Sequence, residues 1–227
     1  ENISMETVDV NIDKLYGWSF YLKHGVKLWF KGYSLESNVE EIHTKIILII
    51  KESKYCINDL ERVIKDIRGH FALVIESKNL FFMSVDQISS IPLFYSQIGN
   101  VLSVNPNATT LRDKMSTGSI LINNQAVLEV TMSGCTLLQE TMIDKLCRLD
   151  AGNYLYIEKD ILDLNIVSYY KYWDDVFIKK KTDFDTTIRE IFSKYIKYLN
   201  GRQVIVPLSG GNDSRLVVSM LREFNYE

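Results

Sequence analysis

A segment near the end of the sequence combines glycines, hydroxyl groups and a carboxylate at a predicted junction between a strand and a helix. Its residues are Ser209, Gly210, Gly211, Asn212, Asp213 and Ser214. The first turn of a helix presents backbone N–H groups without intrahelical partners, and the helix dipole places partial positive charge there. Adjacent glycines let the backbone approach a phosphate closely. The segment therefore predicts an anion-binding turn, with Ser209 and Ser214 as additional donors.

The carboxylate of this segment points to a metal ion. Asp213 would repel a bare phosphate, whereas a Mg²⁺ ion bound to Asp213 would bridge it to phosphate oxygens. A helix terminus contributes only roughly 0.3–1 kcal/mol to anion binding, so a triphosphate also needs the metal and cationic side chains such as Arg215. The alternative is a polar strand-to-helix turn that binds no ligand.

The elements around this turn are predicted from apolar periodicity. A buried-type strand covers residues 204–208, and a helix covers residues 215–224. A preceding helix is capped by Asp183, and Asn200-Gly201 ends it as a left-handed cap would. These elements predict a β-loop-α unit.

The residues up to about 172 are predicted to form an α+β unit dominated by antiparallel strands. Helices are predicted from Asn38, where Glu41 completes a capping box, and from Asn58. His24-Gly25 is predicted to turn the first hairpin. The predicted strands cover residues 18–23, 26–30, 71–76, 80–85, 93–96, 101–104, 154–157 and 167–172.

Composition excludes several classes of protein. The chain has 227 residues, 46% hydrophobic and 24% charged, which is typical of a soluble globular protein. A net charge of −3, with one basic run at Lys179, Lys180 and Lys181, argues against a nucleic-acid partner. The longest apolar run, residues 46–50, is too short to span a membrane, and no signal-peptide pattern opens the chain. Three irregularly spaced cysteines predict neither a disulfide framework nor a zinc site. We therefore expect a cytoplasmic protein with reduced cysteines in its core.

The segment at residues 209–214 differs from the P-loop, which places Lys and Ser or Thr after its last glycine. It resembles the pyrophosphate loop, S-G-G-x-D-S, of the ATP-pyrophosphatase superfamily, which includes asparagine synthetase, β-lactam synthetase, GMP synthetase and NAD synthetase. The resemblance implies ATP and Mg²⁺ as cofactors. It also implies that Ser209, Gly210, Gly211, Asp213 and Ser214 hold pyrophosphate and metal, and that Leu208 lies beside adenine.

The upstream residues resemble a class II glutamine amidotransferase domain. Gly69-His70-Phe71-Ala72, Asp86 and Ile91-Pro92-Leu93-Phe94-Tyr95 resemble the family stretch G-x-F-A … R-D-x-x-G-x-x-P-L-Y-Y. Residues 134–155 resemble its T-x-x-x-x-I-x-x-L-x-P-G-x-x-L segment, and Tyr172-Trp173 resembles the Tyr-Trp before its linker. Asparagine synthetases and β-lactam synthetase fuse this domain directly to the pyrophosphate loop. The resemblance, from about residue 17 onward, therefore implies an Ntn-hydrolase-like domain followed by a Rossmann-like PP-loop domain.

The residues that split glutamine in this family are missing. The family nucleophile is a cysteine at the mature N-terminus, whereas Glu1 leads here and the first cysteine is Cys56. The family's R-G-P-D loop is absent, and its glutamine-holding N-G-E segment aligns with Lys31-Gly32-Tyr33. Val85 replaces the arginine before Asp86. A thiol acyl-enzyme needs a nucleophile and a substrate pocket, so we expect an inactive glutaminase site with no identifiable catalytic residue.

The resemblance implies three segments and one main function. Residues 1–172 are a degenerate amidotransferase domain, residues 173–182 a linker, and residues 183–227 the start of a truncated synthetase domain. The implied enzyme is an asparagine synthetase-like ligase that adenylates a small-molecule carboxylate, which ammonia or an amine then attacks to give an amide. Two alternatives stay open: a β-lactam synthetase-like or lasso-cyclase-like ligase for a specialised substrate, and a non-catalytic interaction module.

One β-α unit cannot form a parallel sheet alone, since its strand needs neighbours. We therefore expect the chain to be a fragment, catalytically inactive alone. The sequence leaves open which acid and amine are used and whether the protein forms a homodimer.

Overall fold

Ten strands and six helices are formed by the residues that the computed structural model describes, which are 7–13, 16–51, 56–115, 121–171 and 183–226. The chain divides into two units, Glu1–Trp173 and Asp174–Glu227. The strands are β1 Thr7–Val10, β2 Ser19–Lys23, β3 Val26–Gly32, β4 Phe71–Glu76, β5 Leu80–Val85, β6 Phe94–Ile98, β7 Val101–Asn105, β8 Leu146–Arg148, β9 Asn153–Glu158 and β10 Leu164–Ser168. The helices are α1 Val39–Lys51, α2 Ile57–Asp66, α3 Ala108–Met115, α4 Asn124–Ser133, α5 Phe184–Leu199 and α6 Asn212–Glu223.

The first unit is a layered α+β structure built on a six-stranded sheet of order β10-β9-β5-β4-β3-β2, in which all neighbours are antiparallel. Helices α1 and α2 cover one face, where Ile46 and Leu60 pack against Leu73. The opposite face carries Val74 and Phe81, which pack against the second sheet. The central strands β4 and β5 are therefore apolar along nearly their whole length, because both of their faces are buried.

The second sheet has the order β1-β7-β6-β8, and helix α3 contacts it through β6, β7 and β8. Strand β1 pairs parallel with β7, with Val8 opposite Leu102, so this sheet is mixed, whereas its other two strand pairs are antiparallel as predicted. A parallel pair needs a long crossover, and here strands β2 to β6 and helices α1 and α2 lie between β1 and β7 in the sequence. A four-residue strand with so distant a partner gives no readable local signal.

Two local predictions in this unit are confirmed in detail. His24 and Gly25 have φ angles of 52° and 76°, so both adopt the left-handed conformation that a tight hairpin turn between β2 and β3 requires. At the start of α1, the Glu41 backbone N–H donates to Asn38 Oδ1 at 2.8 Å, and the Asn38 N–H donates to the Glu41 carboxylate at 3.3 Å. This reciprocal pair is the predicted capping box.

Other predictions for this unit are corrected. The last strand is Leu164–Ser168, which lies earlier than the predicted residues 167–172. Helices α3 and α4 were not predicted, since they bury only Leu111 and Ala126 respectively and show little periodicity. The cysteines are free but do not lie in the core, because Cys56 and Cys135 are exposed and Cys147 is half-buried.

The second unit contains α5 and α6. An ion pair between Arg189 and Glu223 joins the two helices. The predicted cap and stop of α5 are confirmed, since the Asp183 side chain accepts from the Asp185 N–H and Asn200 is left-handed with φ 47°. The predicted buried strand at residues 204–208 is wrong, because the described residues of this unit offer it no strand to pair with. Ile205 is 86% exposed as a result.

Tyr172, Trp173 and the predicted linker of residues 173–182, with its three lysines, lie outside the described residues. Among the residues that the structure describes, none of the helices has the length and apolar character that a membrane span requires.

Candidate functional site

The turn at residues 209–214 leads directly into α6. This helix begins at Asn212 rather than at the predicted Arg215, so Asp213 and Ser214 lie in its first turn. Gly211 is the N-cap residue, with extended backbone angles of φ −82° and ψ 169°, and no side chain caps the helix. The N–H groups of the first turn therefore remain available as donors. They also lie at the positive end of the helix dipole, and both features favour an anion.

The two serines of the turn face each other across it. The Oγ atoms of Ser209 and Ser214 are 3.2 Å apart, and the Gly211 N–H donates to Ser209 Oγ at 3.3 Å. The Ser214 hydroxyl also lies 3.4 Å from the backbone oxygen of Ser209. The turn is thus held in a defined shape by its own hydroxyl groups, which lie on the same side as the start of α6.

The turn is open to solvent. A Cβ added at Gly210 would meet no atom within 4 Å, so nothing occupies the space beside this backbone. Asp213 is exposed, and among the described residues no hydrogen bond or ion pair engages its carboxylate. No group of three or more His, Cys, Asp or Glu that could hold a metal is found in the described ranges. A magnesium ion here would therefore take one protein ligand, Asp213, and complete its shell with phosphate and water oxygens.

A cavity of about 500 Å³ lies along α6, and both apolar and polar side chains line it: Val204, Val206, Val218, Leu221, Arg222, Asn225 and Tyr226. Leu208, which the resemblance places beside adenine, does not line this cavity and is 67% exposed. The structure therefore brings Ser209, Gly210, Gly211, Asp213 and Ser214 together in one turn and leaves Leu208 on the surface beside it.

In the first unit, the Asp86 carboxylate accepts hydrogen bonds from neighbouring residues of the chain. Asp86 is buried, and its Oδ2 accepts from the Phe71 N–H at 3.0 Å, while its Oδ1 accepts from the Ile88 N–H at 2.9 Å. The Ser90 hydroxyl and N–H also donate to this carboxylate. Asp86 therefore fixes the turn that follows β5, and both of its oxygens are engaged in doing so.

The glycines of the family-like segments are also explained by packing. A Cβ on Gly32 would lie 2.0 Å from the His70 backbone oxygen, and one on Gly69 would lie 2.1 Å from the Tyr33 backbone oxygen. Gly152 has a φ of +66°, and a Cβ there would lie 2.8 Å from the Tyr170 backbone oxygen. At all three positions a side chain is excluded by neighbouring backbone.

A polar cavity of about 440 Å³ lies where β1, β3 and β7 end, and sequence reasoning missed it. Lys31 lines it together with Trp18, Asn11 and Asn105. The Trp18 side chain is 4% exposed, and its Nε1 has no hydrogen-bond partner among the described residues. No cysteine lines this cavity. The sequence signal for this cavity is limited to Asn11, directly after β1, and Asn105, the last residue of β7. That signal can be recognised only once β1 and β7 are known to be neighbours.

No known protein-family profile matches the chain, and no curated protein matches it in sequence. Two solved structures are similar over 67% of this chain at 12% identity. One is glutamine phosphoribosylpyrophosphate amidotransferase from B. subtilis complexed with ADP and GMP, with a TM-score of 0.41 and 31% of its chain covered. The other is described as the allosteric regulatory enzyme of purine biosynthesis, with a TM-score of 0.36 and 30% covered. This chain spans about a third of the length of each structure, and likeness at these scores identifies no family.

Proposed function

We propose that this chain is the front part of an ATP-dependent amide-forming ligase of the asparagine synthetase type. The observation that carries the proposal is the open, uncapped turn at residues 209–214, which places two glycines, two hydroxyls and one carboxylate at the start of α6. This is the set of groups that a pyrophosphate with bound magnesium requires.

Each residue of the turn has a separate part in this proposal. The backbone N–H groups of the first turn of α6 bind phosphate oxygens, and the hydroxyls of Ser209 and Ser214 turn from each other toward the ligand. Asp213 holds the magnesium ion, which neutralises the negative charge of the phosphates. The helix dipole alone contributes only roughly 0.3–1 kcal/mol and cannot offset that charge. Gly210 keeps the space beside the backbone clear. When bound, ATP would transfer its AMP group to a small-molecule carboxylate with release of pyrophosphate, and attack by ammonia or an amine would then release AMP and give the amide.

The first unit is proposed to be an Ntn-type amidotransferase domain that has kept its architecture and lost its glutaminase. Gly32, Gly69 and Gly152 serve close packing, and Asp86 holds a turn. Cys56 and Cys135 lie on the surface, and Cys147 is half-buried. None of the three lines the cavity at Lys31. Nitrogen therefore comes from ammonia or from an amine on the substrate, and glutamine is not split.

The test is ATP–pyrophosphate exchange, measured on the full natural polypeptide with a panel of carboxylates. Exchange should require Mg²⁺, and Asp213→Ala should lower it at least about 100-fold, since a metal ligand is lost. Asn212→Ala is the matched control, because Asn212 occupies the variable position of the same turn. If exchange survives Asp213→Ala, or is lost equally in both variants, the nucleotide does not bind at this turn.

A second readout separates the two units. Glutamate release from glutamine should stay at background in the same preparations. Stoichiometric release would show that the glutaminase is active. Absence of exchange with every carboxylate, together with absence of Mg·ATP binding, would favour the non-catalytic module.

A further inference from the structure

The polar cavity at Lys31 takes no part in the proposed nucleotide chemistry, and the residues that line it all belong to the first unit. Its volume of about 440 Å³ lies in the range of roughly 300–1,000 Å³ that is usual for small-molecule pockets. The cavity is therefore large enough to hold a metabolite, and what it can hold does not depend on the second unit.

Strand pairing places Trp18 and Lys31 side by side at this cavity. Ser19 of β2 pairs with Phe30 of β3, so Trp18 and Lys31 occupy the next position along the same antiparallel pair. A Cβ built on Gly17 would lie 4.0 Å from Lys31 Cε, which places the end of the lysine side chain beside Gly17. The indole and the ammonium group therefore lie at the same end of the hairpin.

Two buried side chains of the cavity have donor hydrogens without an acceptor in the described ranges. The Trp18 side chain is 4% exposed, and its Nε1 has no hydrogen-bond partner there. Asn105 is 6% exposed, and its amide nitrogen carries two hydrogens but donates only to the Asn11 backbone oxygen. A buried donor without an acceptor is unfavourable, and a ligand that supplies the acceptor removes this cost.

The oxygens of the two cavity amides, in contrast, already accept hydrogen bonds. The Asn105 side-chain oxygen accepts from the Asn107 N–H at 2.7 Å. The Asn107 side-chain oxygen accepts from the Thr109 N–H at 2.8 Å and from the Thr110 N–H at 3.4 Å. The unmet hydrogen-bonding capacity of the cavity therefore lies mainly in donors, which favours a ligand rich in acceptors.

The charges at the cavity favour a ligand with a single negative charge. Lys31 is half-buried, and within the part of the chain that the structure describes it forms no salt bridge. Its ammonium group is therefore available to pair with an anion. Asp13, which has a partner of its own in the chain, also lines the cavity. Its negative charge would repel a phosphate dianion more strongly than a carboxylate.

We propose that the cavity at Lys31 binds a small monocarboxylate with an apolar body. The carboxylate pairs with the Lys31 ammonium group and accepts from the Trp18 indole N–H, and an acceptor atom of the ligand meets the remaining Asn105 hydrogen. The Tyr16 side chain, which also lines the cavity, is 70% exposed and gives the apolar body an aromatic surface to cover.

Isothermal titration of the full natural polypeptide, without ATP, tests the proposal with acetate, benzoate, phenylacetate and indole-3-acetate. At least one of the three acids with an aromatic body should bind, and it should bind more tightly than acetate. Lys31→Met should raise its dissociation constant at least about tenfold, because a hydrogen bond between charged groups is lost. Lys78→Met is the matched control, since Lys78 is an exposed lysine of the same unit outside the cavity.

Three outcomes of this titration overturn the proposal. The first is that none of the four acids binds, and the second is that Lys31→Met binds as tightly as the wild type. The third is that Asp213→Ala abolishes binding while Lys31→Met does not, since the acid would then occupy the proposed synthetase site.

Neutral ligands test the assignment of charge. The primary amide of the acid that binds best should bind at least about tenfold more weakly than the acid itself. L-Glutamine, whose ammonium and carboxylate charges cancel, should not compete with the acid. Preferential binding of L-glutamine would identify an amino-acid pocket and overturn the proposal.

The indole N–H of Trp18 provides a readout that needs no variant at this buried position. In the ¹H–¹⁵N spectrum of the wild type, the Trp18 Nε1–H signal should move downfield when the acid binds, because the donor gains an acceptor. The signal of Trp29, which does not line the cavity, should stay in place. A Trp18 signal that a saturating concentration of the acid leaves unmoved overturns the proposal.

Discussion

Gly32 lies against the backbone of His70, and Gly69 lies against the backbone of Tyr33, so closely that neither glycine position can carry a side chain. A Cβ on Gly32 would lie 2.0 Å from the backbone oxygen of His70, and a Cβ on Gly69 would lie 2.1 Å from that of Tyr33. The Tyr33 N–H also donates to the His70 oxygen at 2.8 Å. The end of β3 and the entry to β4 are thus joined by backbone alone, which explains why the sequence has glycine at both positions.

Gly69→Ala is expected to destabilise the first unit by at least about 3 kcal/mol, because the new Cβ meets rigid backbone rather than a movable side chain. Urea unfolding followed by circular dichroism measures this loss. Gly25→Ala is the control, since its Cβ would meet nothing within 4 Å and only the φ of +76° is unfavourable. We expect a cost of about 1–2 kcal/mol there. Equal losses in the two variants would contradict the close approach.

Asp86→Ala is expected to cost roughly 2–5 kcal/mol, because it leaves the N–H groups of Phe71 and Ile88 without their acceptor. Asp86→Asn should cost less, since one acceptor oxygen is kept. The same urea titration measures both losses. Asp163→Asn, at an exposed carboxylate in the same unit, should change the free energy of unfolding by no more than about 0.5 kcal/mol. An Asp86→Ala variant as stable as the wild type would show that this carboxylate does not hold the turn.

Elements with strong local signals could be predicted from the sequence. The β2–β3 hairpin, the capping box at Asn38 and the central strands β4 and β5 each depend on residues close together in the chain. Helix α4 could not be predicted, because it buries only Ala126 and two of its large apolar residues, Leu128 and Met132, are exposed. Strand β1 could not either, since its pairing partner lies about ninety residues away.

The candidate site shows the same division between local and tertiary information. The composition of the turn at residues 209–214 and its place before a helix are local, so both could be predicted. The strand at residues 204–208 was predicted from apolar character alone, and it failed because a strand also needs a hydrogen-bonded neighbour. The cavity at Lys31 depends on three strands meeting at one edge, which no local pattern encodes.

The stability of the first unit is expected to fall as the pH drops below about 6.5, the ordinary pKa of histidine. Burial between α1 and the β2–β3 hairpin lowers the pKa of His43, the hydrogen bond from Nε2 to the Val26 oxygen opposes this, and nearby Lys23 lowers it further. The unfolded chain therefore binds a proton at a pH where the folded state does not. The stabilisation is complete above the unfolded pKa and is lost as the pH falls toward the folded pKa.

Urea unfolding at a series of pH values from about 7.5 to 5 measures this effect. His43→Leu removes the titrating group but keeps an apolar side chain at a buried position, so its free energy of unfolding should fall less over this range. The carboxylates titrate in both proteins, so their contribution cancels in the difference between the two curves. That difference therefore reports the titration of His43. Parallel curves would show that His43 titrates alike in the folded and unfolded states.

The hydroxyls of Ser209 and Ser214 are expected to bind phosphate oxygens rather than only each other. Ser209→Ala and Ser214→Ala should each weaken Mg·ATP binding about tenfold or more, since each removes a hydrogen bond to a charged group. Isothermal titration on the full natural polypeptide measures the dissociation constants. Ser219→Ala, at an exposed position farther along α6, should leave them unchanged. If the hydroxyls only shape the turn, both alanine variants will lower its helix stability without a selective loss of nucleotide affinity, and Ser209→Thr will not restore binding.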